Sequence, residues 1–118
     1  MWWILIVVIG LLFAYTVFFS NNIKLVDAKR KLAEGAVLVD VRTEGEFATG
    51  ALPGAMNIPM HRLSSIANMV KDKKKPILLY CASGARAAGA CAKLRSMGYE
   101  DVHNVGSFSR CRKILPET

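Results

Sequence analysis

Residues 81–86 combine a thiol, four small residues and a guanidinium in one short stretch. The segment reads Cys81-Ala82-Ser83-Gly84-Ala85-Arg86. An ionised thiol is the form of cysteine that attacks sulfur or phosphorus. Small side chains let a substrate approach the backbone closely, and a guanidinium binds oxyanions through two parallel hydrogen bonds. The stretch therefore predicts a site at which Cys81 attacks an anionic substrate held by the loop.

The elements on either side of this loop would place it where ligands commonly bind. Residues 77–80 form a continuous apolar run typical of a buried strand, and a helix is predicted from about Ala87 to Met97. Ligands of open α/β sheets gather at the carboxyl ends of strands. The amides and dipole of a helix N-terminus attract anions and favour a thiolate. This setting favours a nucleophile over the alternative, a small buried core cysteine.

Predicted helices and strands also alternate along the rest of the chain. Residues 26–34 predict a short amphipathic helix, and residues 36–41 form a second apolar, β-branched run. A turn-rich stretch and a helix at about 62–70 follow, and a short third strand is centred on 101–104. Such alternation predicts an α/β domain with a mainly parallel sheet.

The N-terminal segment differs in composition from everything after it. Residues 1–20 carry no charged side chain and are almost wholly apolar. At 1.5 Å rise per residue, such a run is long enough to cross a hydrocarbon core of ~30 Å. A cleaved signal peptide is disfavoured because the segment has neither a basic start nor an Ala-x-Ala-like site. The sequence predicts a transmembrane helix at 1–20, an uncleaved signal anchor in the lipid bilayer, and one domain at 21–118.

Charge and cysteine content predict where that domain lies. Basic residues follow the apolar segment at 24 and 29–31, and none precedes it. The positive-inside rule then predicts a single-pass membrane protein with its domain in the cytoplasm. An odd number of thiols without Cys-x-x-Cys spacing suits a reducing compartment. These thiols are Cys81, Cys91 and Cys111.

The net charge of +7 falls entirely on the residues after the apolar segment. It could serve an anionic substrate, anionic lipid or nucleic acid. The richest basic run, residues 71–75, contains no aromatic residue, so we predict a solvated turn and no nucleic-acid partner. The cysteines are accompanied by only two histidines, His61 and His103, and the spacing of these residues predicts no metal site.

Several further motifs accompany the loop. They are Val39-Asp40-Val41-Arg42, Glu46-Phe47, Gly50-Ala51-Leu52-Pro53-Gly54-Ala55 and Asn57-Ile58-Pro59. With the loop, and along nearly all of residues 23–118, their order and spacing resemble the rhodanese-homology family. The resemblance implies a small three-layer α/β domain, with a mainly parallel central sheet flanked by helices.

The same resemblance implies a sulfurtransferase. Cys81 would take a sulfane sulfur from a donor such as thiosulfate, carry it as a persulfide, and pass it to cyanide or a thiol acceptor. The amides of residues 82–85 would stabilise the charged sulfur, and Arg86 would bind the anionic donor. Asp40 and Arg42 would support the loop as a structural ion pair. No metal or organic cofactor is implied.

Two other functions stay open beside this one. A loop of six residues from cysteine to arginine is typical of the sulfurtransferases, whereas seven is typical of the related cysteine phosphatases and arsenate reductases. A non-enzymatic, membrane-tethered binding module is the other alternative, although inactive family members usually lack the cysteine. The chain departs from the family pattern at Leu52, Ser107 and near Cys111, which leaves substrate preference open.

The remaining cysteines are predicted to have no chemical role. Cys91 falls among alanines on the helix predicted at 87–97, which favours a buried packing position. Cys111 lies in the basic segment 110–113, where neighbouring cations could favour its thiolate. We predict that Cys111 is a spare surface thiol.

Overall fold

The computed structural model describes the backbone of residues 1–20 and 22–116, and the side chains of residues 1–15 and 22–116. In chain order its helices and strands are α1 (Trp2–Ser20), α2 (Leu25–Ala33), β1 (Val37–Asp40), α3 (Glu44–Ala48), β2 (Met56–Asn57), a 3₁₀ segment (Met60–Ser65), α4 (Ile66–Met69), β3 (Ile77–Cys81), α5 (Ala85–Ser96), β4 (Val102–Ser107) and α6 (Phe108–Arg112).

The four strands form one parallel sheet in the order β2-β1-β3-β4. All five residues of β3 are buried, because β1 and β4 pair with its two edges and helices cover both faces. A continuous apolar run is what such a position requires. The predicted parallel sheet is therefore confirmed. Cys81 is the last residue of its buried strand β3.

Alternate residues of β3 pack into two separate core clusters, as the two-residue period of a strand dictates. Ile77 and Leu79 join a cluster with α4 and α5 on one face. Leu78 and Tyr80 join a cluster with α2 and α6 on the other face. The domain is thus three layers, helices on a sheet on helices, as the sequence predicts.

The edge strand β4 ties the start of the domain to its end. Ile23 N donates a hydrogen bond to Asn104 O at 3.0 Å, just before α2 begins. The guanidinium of Arg110, on α6, donates from Nη1 to Val105 O and from Nη2 to Ile23 O. One arginine therefore bridges the first residues of the domain, its edge strand and its last helix.

Several predicted boundaries differ from those observed. The helix after the loop starts at Ala85, two residues before the predicted start, and the third strand continues to Ser107. The predicted helix at 62–70 is a 3₁₀ segment with a non-helical Arg62, followed by the four residues of α4. The elements α3, β2 and α6 were not predicted, because runs of two to five residues are too short to show a period.

The membrane prediction is not supported. In the stretches that the structure describes, no helix combines the length and the apolar character needed to cross a membrane. The expected transmembrane span at 1–20, and with it the expected bilayer contact, therefore has no support here. The cytoplasmic placement of the domain stays a prediction.

Candidate active site

Cys81 lies where β3 ends and its side chain meets the start of the 12-residue helix α5. Its Sγ accepts a hydrogen bond from Gly84 N at 2.9 Å and another from Ala87 N at 3.4 Å. Backbone amides directed at one sulfur atom, at the positive end of a helix, stabilise negative charge on that sulfur. The geometry suits a thiolate or a persulfide anion at this position.

The loop is held in place by the edge strand. Gly84 has φ +101°, a left-handed conformation that only glycine adopts without strain, and it precedes the first residue of α5. Asn104 Nδ2 donates to Gly84 O at 3.0 Å, and Ser83 forms an antiparallel bridge with Ser107. A Cβ added at Gly84 would lie 3.2 Å from the Cα of Gly106. The glycine therefore permits both the turn and the close contact with β4.

We expect Gly84→Ala to destabilise the protein by about 1–3 kcal/mol, because the substitution combines left-handed strain with a backbone clash. It should also slow any reaction of Cys81, since Gly84 N is one of the two amides that reach Sγ. Urea denaturation measures the first effect. Gly98→Ala is the matched control: Gly98 has φ +98°, but its Cβ would meet nothing within 4 Å. Equal losses in both variants would show that the contact with Gly106 is unimportant.

Arg86, expected to bind an anionic donor, is already paired with a carboxylate. Its Nη1 donates to Glu46 Oε1 at 2.7 Å and its Nη2 donates to Glu46 Oε2 at 2.9 Å. Hydrogen bonds from Arg86, and then from the Thr43 backbone, hold the pKa of Glu46 at about 2. About a third of each side chain is exposed. The loop therefore ends in a neutral ion pair rather than a free cation.

Glu46 reaches Arg86 because of α3, which sequence reasoning missed. Thr43 caps this helix: its Oγ1 accepts from Glu46 N, and Glu46 Oε1 accepts from Thr43 N. The spacing Thr-x-x-Glu is a recognised signature of a helix start. A second ion pair, Glu44 with Arg62 at 2.9 Å, joins the same short helix to the 3₁₀ segment. The capping signature was thus the available signal for α3 and for Glu46 in its first turn, but it does not indicate Arg86 as the partner of Glu46.

Asp40 and Arg42 form a buried ion pair at the end of β1. Arg42 Nη2 lies 2.7 Å from Asp40 Oδ2, and Arg42 Nε and N also donate to the same carboxylate. Asp40 has no exposed surface and Arg42 is 8% exposed. The guanidinium also donates to Gly50 O and lies 4.9 Å from the centre of the Phe108 ring. The hydrogen bonds to Asp40 raise the pKa of Arg42.

The loop residues differ in what they expose. The side chains of Ala82 and Ser83 are exposed and that of Ala85 is half-buried, whereas Cys81 has no exposed surface. The structure thus brings Cys81, Gly84 and Arg86 together. Asp40 and Arg42, predicted to support the loop, contact each other and the turn at Gly50.

The two other cysteines are both buried. Cys91 packs against the sheet from α5, which confirms its predicted packing position. The prediction that Cys111 is a surface thiol is wrong: α6 turns it into the opposite core cluster, with no exposed surface. Burial raises the pKa of each thiol to about 12, and for Cys111 the charge of Asp40 adds to this effect.

Cys91 and Cys111 should resist alkylation by iodoacetamide at pH 8 in the folded protein. At a pKa of about 12, roughly one thiol in 10⁴ is ionised at that pH. Both should react once urea unfolds the chain, because the exposed thiols regain ordinary acidity. Peptide mass spectrometry follows each site separately. Labelling of Cys111 at the same rate with and without urea would contradict its burial.

Comparison with known proteins gives a consistent result. A family model described as "Rhodanese-like domain" matches residues 24–111. A protein named "Sulfurtransferase" from Allochromatium vinosum is 40% identical over 104 residues, which cover 81% of this chain and 92% of that protein. "Thiosulfate sulfurtransferase GlpE" from Pseudomonas syringae is 34% identical over 87 residues, covering 71% of this chain and 79% of that protein.

Solved structures with the same fold extend this similarity. A rhodanese from E. coli, solved with anions, is 31% identical with a TM-score of 0.62, covering 64% of this chain and 91% of that one. The human single-domain sulfurtransferase TSTD1 is 26% identical with a TM-score of 0.66, covering 82% of this chain and 98% of that one. Both alignments cover most of the compared protein.

Proposed function

The chain belongs to the rhodanese-like domain family, and from this premise we propose that it is a sulfurtransferase that carries a sulfane sulfur on Cys81. One observation carries the proposal: Cys81 Sγ accepts hydrogen bonds from the amides of Gly84 and Ala87 at the start of a helix. The names of relatives that are 34% and 40% identical support the same class of reaction.

With thiosulfate as donor, the Cys81 thiolate attacks the outer sulfur. A new S–S bond forms to Sγ, and the S–S bond of thiosulfate breaks. Sulfite leaves with the bonding electron pair, and the cysteine becomes a persulfide anion. Cyanide or an acceptor thiolate then attacks the terminal sulfur. The bond to Sγ breaks, which returns Cys81 to the thiolate and releases thiocyanate or a new persulfide.

The loop would serve this cycle mainly through its amides. Negative charge stays on sulfur in every state, so no side chain has to accept a proton once the thiol is ionised. Because Cys81 has no exposed surface, access of a donor sulfur to Sγ would require displacement of some of the atoms around it. The small, exposed Ala82 and Ser83 leave room for that approach.

Intact mass spectrometry tests the proposal directly. The purified chain is incubated with thiosulfate and then with cyanide. We expect a gain of one sulfur atom, which cyanide removes with release of thiocyanate. Failure to gain sulfur from thiosulfate, an organic persulfide and a thiosulfonate alike would overturn the proposal and favour a non-enzymatic binding module. Turnover of a phosphomonoester instead would indicate a cysteine phosphatase.

A further inference from the structure

The ion pair between Arg86 and Glu46 limits the negative charge that a donor bound at the loop can carry. Both carboxylate oxygens of Glu46 are engaged by the two terminal nitrogens of Arg86. A donor anion that approaches the guanidinium therefore also approaches a carboxylate. The carboxylate cancels much of the attraction that Arg86 would exert on a donor anion, and because Coulomb energy is proportional to the product of the charges, a dianion loses about twice as much attraction as a monoanion at the same distance.

Neighbouring arginines are also engaged and offer little compensation. Arg42 is paired with Asp40 at 2.7 Å, and Arg62 is paired with Glu44 at 2.9 Å. The chain carries +7 overall, yet three arginines around this edge of the sheet each face a carboxylate. The net charge of the chain is thus not a guide to the local charge beside Cys81.

Glu46 is also fixed in place rather than free to swing away. Its Oε1 accepts from both Thr43 N and Thr43 Oγ1 at 3.1 Å, while its backbone N donates to Thr43 Oγ1. Displacement by an incoming anion would break the ion pair and the helix cap together. The carboxylate is therefore a persistent part of the site, and the pKa of about 2 keeps it ionised at any pH near neutrality.

We propose that Glu46 is a specificity-determining residue that selects singly charged sulfane donors, such as organic persulfides and thiosulfonates, over the thiosulfate dianion. The inference rests on the proposed sulfur transfer to Cys81. With an organic persulfide R–S–S⁻, Cys81 Sγ bonds to the terminal sulfur and the donor S–S bond breaks. The thiolate R–S⁻ leaves with the electron pair, so the products carry the same total charge as the reactants.

Two nearly isosteric donors test this inference. Thiosulfate is a dianion, and methanethiosulfonate is a monoanion in which a methyl group replaces one oxygen. We expect Glu46→Gln to raise kcat/KM for thiosulfate about tenfold, because a like charge is lost from a partly exposed site. The value for methanethiosulfonate should change less than about threefold. Glutamine retains an oxygen that can accept from Thr43, so the helix cap is preserved.

Glu44→Gln is the matched control, since it removes the same charge from the same helix but from the carboxylate that pairs with Arg62. We expect it to leave the ratio of the two kcat/KM values unchanged. An equal loss with both donors in Glu46→Gln would assign Glu46 to positioning Arg86 only, and an unchanged ratio would likewise overturn the inference. Absence of persulfide with either donor in the unaltered chain would instead overturn sulfur transfer itself.

Discussion

Cys81→Ser is expected to take up no sulfur from any sulfane donor, and its rate of sulfur transfer to cyanide should fall at least about 10³-fold. Serine keeps the shape of the side chain, but its hydroxyl is not ionised near neutral pH and does not form a stable bond to the donor sulfur. Because Sγ is the atom on which the amides of Gly84 and Ala87 converge, no neighbouring side chain can replace it.

Intact mass spectrometry before and after incubation with thiosulfate measures this effect. Cys91→Ala is the matched control, because it removes a thiol that is buried on α5 and has a pKa of about 12. This variant should still gain one sulfur. A persulfide that forms in Cys81→Ser at Cys91 or Cys111 would show that the sulfur carrier was assigned to the wrong thiol.

Arg42→Met should destabilise the protein by about 3–5 kcal/mol, because it leaves the Asp40 carboxylate buried without its partner. Asp40 has no exposed surface, and the substitution removes two of its donors, Arg42 Nε and Nη2, while the backbone N of residue 42 remains. The loss should appear as a lower urea midpoint. Adding Asp40→Asn should restore part of the stability, since no isolated charge then remains in the core.

Arg62→Met provides the control for this substitution. Arg62 also pairs with a carboxylate, that of Glu44, but the two side chains are 52% and 64% exposed. Exposed pairs of this kind contribute up to about 1 kcal/mol. A similar loss of stability in Arg42→Met and Arg62→Met would contradict the view that burial makes the Asp40–Arg42 pair important.

The sequence predicts the central part of this domain well because its signals are local. The buried strand before Cys81 and the helix after the loop each follow from a single stretch of residues, 77–81 and 85–96. The partner of Arg86 is different, because Glu46 lies 40 residues away and reaches it only through the placement of α3. No pattern within a single stretch of the sequence indicates that Glu46 and Arg86 are in contact.

Cys111 illustrates a second limit. Its immediate neighbours in sequence are basic and indicate a surface position, and Arg112 is indeed exposed. The five-residue helix α6 nevertheless turns Cys111 toward the sheet, where it packs with Tyr80 and Val105. Whether one face of such a short helix is buried depends on how the end of β4 positions the helix against the sheet. The composition of the segment alone could not have predicted this.

The bridge made by Arg110 has a consequence for how the protein is made. During synthesis, Ile23 joins the chain 87 residues before Arg110, whose guanidinium binds the carbonyl oxygen of Ile23. The nascent chain therefore cannot complete the edge of its sheet until α6 has been synthesised. A product that stops short of α6 lacks this bridge and leaves the edge of β4 poorly covered, a feature that promotes aggregation. The same contact that closes the finished domain thus distinguishes complete chains from prematurely terminated ones.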